Sequence, residues 1–141
     1  MLSQKKRYTW QKMRYTITMK KKKILVIEDS PYLAESLADM LEMKGFQAVL
    51  APTGREGVST AIEEQPDLIL LDIRLPDIDG YEVYRRIREN EWGATATIII
   101  LTASESIENI SKNIQLPKED ILFKPDWSVM DLHAKIIEKL G

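Results

Sequence analysis

Five short apolar runs, each followed by a segment of helical periodicity, constrain this chain more than any other feature. The runs are residues 24–27, 48–50, 68–71, 98–101 and 121–123. They are rich in Ile, Val and Leu and show no polar alternation, the texture of strands covered on both faces. Between and after them the apolar residues recur at helical spacing. Leu33, Leu37, Met40 and Leu41 form one stripe; Val58, Ala61 and Ile62 a second; Tyr81, Tyr84 and Ile87 a third. Ile107, Ile110 and Ile114 make a fourth, and Leu132, Ile136 and Leu140 a fifth. Five strand-then-helix units in succession predict an α/β fold, a parallel sheet with helices on both faces. The second strand carries the weakest signal.

Helix boundaries are written locally. Ser30 is placed to cap the first helix, with Pro31 in its first turn and Gly45 just past its end. Thr53 with Glu56, and Asp79 with Glu82, have capping-box spacing. Asp79-Gly80 is also a hairpin-turn dipeptide, but the helical spacing after it favours a helix start.

Polar residues fall where the runs end. The first run gives way to Glu28-Asp29, the third to Asp72, the fourth to Thr102 and the fifth to Lys124. In a parallel sheet these ends share one edge, the edge where ligands bind in open α/β folds. In the strand order 2-1-3-4-5 the first and third strands are neighbours about 4.8 Å apart. Asp29 and Asp72 would then face each other with Glu28 close by. Thr102 would lie one strand beyond Asp72, and Lys124 two strands beyond, roughly 10 Å at the backbone. A hydroxyl serves the nearer distance and a long ammonium side chain the farther one. Three carboxylates so close repel, and a hard divalent cation resolves the conflict. Mg²⁺ (or Mn²⁺) is the expected ion, with Asp29 and Asp72 as ligands and Glu28 acting through water.

Charge is distributed unevenly. Residues 1–23 hold nine of the 20 basic residues and no acid, which leaves the other 118 residues with 11 basic and 22 acidic side chains, a net of −11. An acidic body repels nucleic acid and attracts cations. Basic residues interleaved with Tyr8, Trp10 and Tyr15 have the composition of a nucleic-acid contact. A charge run without an apolar face rarely folds, however, so residues 1–22 are expected to be a disordered basic extension and residues 23–141 the domain. No apolar run approaches the roughly 20 residues of a membrane span. The absence of cysteine excludes disulfides and thiolate zinc sites and fits the expectation of a cytoplasmic protein.

These motifs resemble the receiver domains of two-component response regulators over about residues 20–141. The carriers are KILVIEDS at 23–30, LLDIRLPDIDGYEV at 70–83, LTA at 101–103 and FKP at 123–125. The resemblance implies a flavodoxin-like (βα)5 doubly wound sheet in the order 2-1-3-4-5. It further implies that Asp72 is the phosphoacceptor, taking a phosphoryl group from the phosphohistidine of a sensor histidine kinase or a histidine phosphotransfer protein. Asp29, Asp72 and the backbone carbonyl of Arg74 would hold the metal, supported by Glu28. Thr102 and Lys124 would bind phosphoryl oxygens, and the Lys124-Pro125 bond would be cis. Such a protein is a signalling switch rather than an enzyme. Arg74 and Ser104, two residues beyond Asp72 and Thr102, are expected to tune the lifetime of the phosphoryl group.

Two departures stand out. The aromatic residue usual three positions before the lysine is Ile121, and the small residues upstream are replaced by Leu116, Pro117 and Lys118. Aromatic switching in its usual form is therefore not expected, and readout through Thr102 and the region near the fourth helix is. With no fused DNA-binding domain expected, output would pass through an unknown downstream protein target. The alternative is a phosphorylation-independent receiver-like binding module. A flavin carrier of similar architecture would need hydroxyls or glycines after the first strand, where Glu28-Asp29 instead puts negative charge.

Overall fold

A computed structural model describes residues 20–103 and 105–141. Its strands are β1 (Lys23–Ile27), β2 (Gln47–Ala51), β3 (Leu68–Asp72), β4 (Ile98–Thr102) and β5 (Ile121–Phe123). They alternate with helices α1 (Pro31–Met43), α2 (Gly54–Glu64), α3 (Gly80–Glu89), α4 (Ile107–Ile114) and α5 (Val129–Leu140). All pairings are parallel and the order is β2-β1-β3-β4-β5. The flavodoxin-like expectation therefore holds. The basic head up to Met19 and Ser104 lie outside the described residues.

Strand alternation sorts the core into two halves. Leu25, Ile27, Ile69, Leu71, Ile98, Ile100 and Ile121 face one side and pack with Ala61, Val83, Ile87 and Ile110 of α2, α3 and α4. Their neighbours Ile24, Val26, Leu68, Leu70, Ile99, Leu101 and Leu122 face the other side, against Leu37, Met40, Leu41, Leu132 and Ile136 of α1 and α5. Right-handed crossovers from a strand order that reverses at β1 and β3 produce this division of helices. Because both faces are covered, an unbroken apolar run is the stable sequence for β1, β3 and β4.

The second helical stripe needs correction. Ile62 is 38% exposed, and the buried side of α2 is Gly54, Gly57 and Ala61. Small residues let α2 sit against β1 so closely that a methyl at Gly57 would lie 2.7 Å from the Ile27 side chain. A stripe of large residues is therefore the wrong template for this helix. The weak signal of β2 also has a cause. It is an edge strand, with Leu50 41% exposed.

Boundary residues cap as expected, but among the described residues a full capping box forms at Ser128–Asp131 rather than at Thr53–Glu56 or Asp79–Glu82. The Glu82 carboxylate takes Arg85 and Arg86 instead. Ser30 Oγ accepts from Leu33 N–H, Thr53 Oγ1 from Glu56 N–H and Asp79 Oδ1 from Glu82 N–H. Asp79-Gly80 opens α3 rather than a hairpin. Gly45 ends α1 at φ +90°, a conformation without steric penalty only for glycine.

Candidate functional site

The carboxyl ends of β1, β3, β4 and β5 bring the polar residues together. The pairing of Ile27 with Leu71 carries Glu28 alongside Asp72, and Asp72 in turn pairs with Leu101, one residue before Thr102. Glu28, Asp72 and Thr102 are buried at 3%, 5% and 1% exposure, whereas Asp29 is exposed at the rim. It is thus Glu28, more than Asp29, that lies directly across from Asp72. Glu28, Asp29 and Asp72 each present a carboxylate oxygen, and these oxygens lie within 4.8 Å of one another.

Lys124 crosses the gap from β5. Its Nζ donates to Glu28 Oε1 at 3.1 Å, to Glu28 Oε2 at 3.3 Å and to Asp72 Oδ2 at 3.1 Å. The other oxygen of Asp72, Oδ1, accepts the Arg74 N–H at 3.2 Å. One ammonium shared between two buried carboxylates leaves the cluster short of positive charge. Burial pushes the Glu28 carboxyl up to about 8, with Asp72 adding through hydrogen bonding and charge and Lys124 opposing. Three convergent oxygens of unbalanced charge are a donor set that fits a hard divalent cation, which takes carboxylates directly or through water.

The loop from β3 to α3 is fixed by residues that spacing arguments overlooked. Asp77 Oδ1 accepts Gly54 N–H at 2.7 Å and Asp77 Oδ2 accepts Arg55 N–H at 2.9 Å. The loop beyond Asp72 is thereby tied to the first turn of α2. Some desolvation resists ionisation of Asp77, but the backbone donors of Arg55, Ile78 and Gly54 outweigh it and hold its carboxyl down at about 2. The sequence signal is only a loop carboxylate and a distant helix start holding Gly54 and Gly57, and that becomes specific once the two loops are known to meet. Gly80 is the second overlooked residue. Its N–H donates to Ile73 O at 2.7 Å, and a methyl there would meet Asp72 O and Ile73 Cα, each at 2.6 Å.

Other expected positions resolve as follows. Arg74 is exposed beside Asp72, and Ser104 is outside the described residues. Among the described residues no peptide bond is cis, so Lys124-Pro125 is trans. An X-Pro bond favours trans by only about 0.5–1 kcal/mol. Here Pro125 sits inside a single 3-10 turn, Lys124–Asp126, closed by Trp127 N–H to Lys124 O at 3.3 Å. Ile121 is 2% exposed and belongs to the α2–α4 side of the core. Among the described residues no helix is long and apolar enough to cross a membrane.

Comparison with known proteins agrees with this geometry. The family model of the response regulator receiver domain matches residues 24–137. The DNA-binding dual master transcriptional regulator RpaA of Synechocystis is 34% identical over 114 residues, covering 81% of this chain and 47% of that protein. The transcriptional regulatory protein CusR of Escherichia coli is 38% identical, covering 81% and 49%. The chain thus spans about half the length of these relatives. Among solved structures, a CheY-like receiver from Methanospirillum hungatei has a TM-score of 0.76 at 31% identity, covering 86% of this chain and 94% of that one. The receiver domain of a Pseudomonas aeruginosa sensor histidine kinase, with magnesium coordinated in its active-site cleft, has a TM-score of 0.76 at 32% identity, covering 86% and 99%. On sequence, strand order and an acidic edge crossed by one lysine alike, the chain belongs to the response regulator receiver family.

Proposed function

We propose that this receiver is the phosphoacceptor of a cytoplasmic two-component phosphorelay, and that Asp72 is the residue phosphorylated. A carboxylate oxygen of Asp72 attacks the phosphorus of a phosphohistidine on a sensor histidine kinase or histidine phosphotransfer protein. The P–N bond breaks, its electron pair returns to the imidazole nitrogen, and an acyl phosphate remains on Asp72. The transfer asks the protein mainly for alignment and charge neutralisation.

Mg²⁺ or Mn²⁺ would be held by Asp29, Asp72 and the Arg74 carbonyl, with Glu28 acting through water. Bound there it would supply the positive charge that screens carboxylates and phosphoryl oxygens from one another. Lys124 Nζ, already donating to Asp72 Oδ2, is within reach of a phosphoryl oxygen at that position. The Thr102 hydroxyl, buried one strand away, would hydrogen-bond another. Arg74, exposed beside the acceptor, would tune access of water together with Ser104.

The observation that carries this reading is the sharing of one lysine between Glu28 and Asp72 inside a three-carboxylate cluster. A structural ion pair has no need of a third acid. The test is incubation with acetyl phosphate and Mg²⁺ followed by intact-mass measurement. A phosphoryl adduct in the parent and none in Asp72→Asn supports the reading; no adduct in the parent overturns it. The second reading, a module that binds partners without phosphorylation, draws on the burial of Ile121 where a mobile aromatic would serve a switch. It predicts a parent without an adduct.

A further inference from the structure

Thr102 is the end of β4, and its buried hydroxyl oxygen accepts the Glu105 N–H at 3.2 Å. The Glu105 carboxylate in turn accepts the phenolic O–H of Tyr81 at 2.5 Å. Tyr81 lies in the first turn of α3, next to Gly80, whose N–H is bonded to the carbonyl of Ile73, the residue after Asp72. The ends of β3 and β4 are therefore connected a second time, outside the sheet, through Glu105 and Tyr81. We propose that Glu105 and Tyr81 are positioning residues: their hydrogen bond sets the β4–α4 loop, and with it the Thr102 hydroxyl, and it is the link through which occupancy of Asp72 reaches α3. The inference rests on the phosphoacceptor reading above and adds to it the route of the signal.

The chemistry suits a link that is made and broken. Tyr81 stays a donor at any physiological pH, because burial and the Glu105 carboxylate both disfavour the phenolate and push its hydroxyl up to about 12. A hydroxyl has one proton and two lone pairs, so the geometry of the group donating to it fixes where its own proton can point. Turning Thr102 toward a phosphoryl oxygen changes the position of its lone pairs and disturbs the Glu105 N–H bond. Glu105 is then displaced from Tyr81. Toward β5 there is no such freedom, because Ile121 is packed at 2% exposure in the core and its side chain has no polar atom.

The link also opens to the surface. Tyr81 lines a groove of about 770 Å³ between α3 and α4, with Asp79, Tyr84, Arg88, Lys112 and Gln115 among its other walls. Release of the Tyr81 hydroxyl from Glu105 changes that wall.

The experiment is NMR on protein labelled with fluorotyrosine, in which the Tyr81 signal is assigned by its loss in Tyr81→Phe. Mg²⁺ with beryllofluoride serves as the phosphoryl mimic, and the acetyl phosphate mass measurement is run on the same samples. The Tyr81 signal is expected to shift on adding the mimic to the parent and to Glu105→Gln, since glutamine keeps an acceptor oxygen. The shift should be lost in Glu105→Ala, which cuts the link but leaves the acceptor residues intact. An adduct on Asp72 with an unmoved Tyr81 signal, or an equal shift in Glu105→Ala, overturns this inference and leaves the phosphoacceptor reading standing. No adduct in the parent overturns both.

Discussion

Gly80→Ala is the smallest change that should damage the site without altering any of its polar groups. The added methyl would stand 2.6 Å from Asp72 O and 2.6 Å from Ile73 Cα. The oxygen contact must open to roughly 3.3 Å, the near limit of a weak C–H···O contact. Both obstacles are backbone, so no rotamer change relieves them. Moving α3 outward by that difference stretches the Gly80 N–H bond to Ile73 O, now 2.7 Å, past useful length. Overpacking costs about 1–3 kcal/mol and the lost hydrogen bond about 1 kcal/mol. The better helix propensity of alanine offsets at most about 1 kcal/mol. The net loss is about 1–4 kcal/mol, a fall in melting temperature on the order of 10 °C for a domain of this size. Because the strain falls on the backbone of Asp72, the rate of adduct formation from acetyl phosphate should drop roughly tenfold or more. Gly45→Ala is the internal control. Nothing lies within 4 Å of its methyl, and only the positive φ of +90° resists it, so it should lose about 1 kcal/mol and phosphorylate at the parent rate. Thermal unfolding followed by circular dichroism, with intact-mass kinetics, reads both quantities. A Gly80→Ala protein that melts with the parent and phosphorylates normally would show that the close approach is not what the glycine is for.

Asp77→Asn should flatten the acid limb of stability. A carboxyl held down at about 2 when folded contributes stability that is present above its ordinary value near 4 and is lost as pH falls toward 2. Urea midpoints between pH 2 and 5 should therefore converge for parent and variant at the acid end. Mg²⁺ binding only to the folded state should raise the free energy of unfolding by about 2.7 kcal/mol at a hundredfold excess over its dissociation constant, read as a higher urea midpoint. That gain should vanish in Asp29→Ala and on adding EDTA, and a gain that survives Asp29→Ala would place the ion elsewhere. Asp120 is 4% exposed, takes Lys139 Nζ at 3.0 Å and faces the buried Lys135 Nζ at 3.8 Å. Asp120→Ala leaves the buried Lys135 ammonium with only the exposed Glu138 carboxylate at 3.7 Å and should cost about 3 kcal/mol by chemical denaturation, with the Asp72 adduct unaffected.

What the sequence made legible follows from which interactions are local in strand direction. Ends of parallel strands share an edge whatever the loops do, so Glu28, Asp29, Asp72, Thr102 and Lys124 could be placed together from run ends alone. Caps were legible for the same reason: Ser30, Thr53 and Asp79 each bond a backbone N–H three residues on. What escaped were contacts whose partners are close in space but not in sequence. Asp77 reaches back 23 residues to Gly54, and Tyr81 forward 24 residues to Glu105. Neither shows a periodicity or a spacing of its own. Ile62 falls outside the buried face of α2 because close packing of that helix on Ile27 selects glycine and alanine there, so hydrophobicity alone does not mark the face. The exchange of prominence between Glu28 and Asp29 has a simpler origin. Alternation along β1 continues one residue past the apolar run, turning Glu28 inward and Asp29 out.

The two loops around the acceptor are held in different ways, and the difference bears on how a switch built on them could move. The β3–α3 loop is pinned from three directions: Asp77 to α2, Gly80 N–H to Ile73 O, and Asp79 capping its own helix. None of those bonds involves a group that would touch a phosphoryl oxygen. The β4–α4 loop is held at Glu105 by its N–H to Thr102 and by its carboxylate to Tyr81, and the first of these depends on the hydroxyl assigned to the incoming group. A ligand shifts an equilibrium only through contacts that differ between the two states. Phosphorylation of Asp72 would change the contacts of Thr102 and leave those of Asp77 and Gly80 as they are. The pinned β3–α3 loop would keep Asp72 and the Arg74 carbonyl in register while Thr102 and Glu105 rearranged, and with Ile121 packed in the core that rearrangement would run toward α3 and α4.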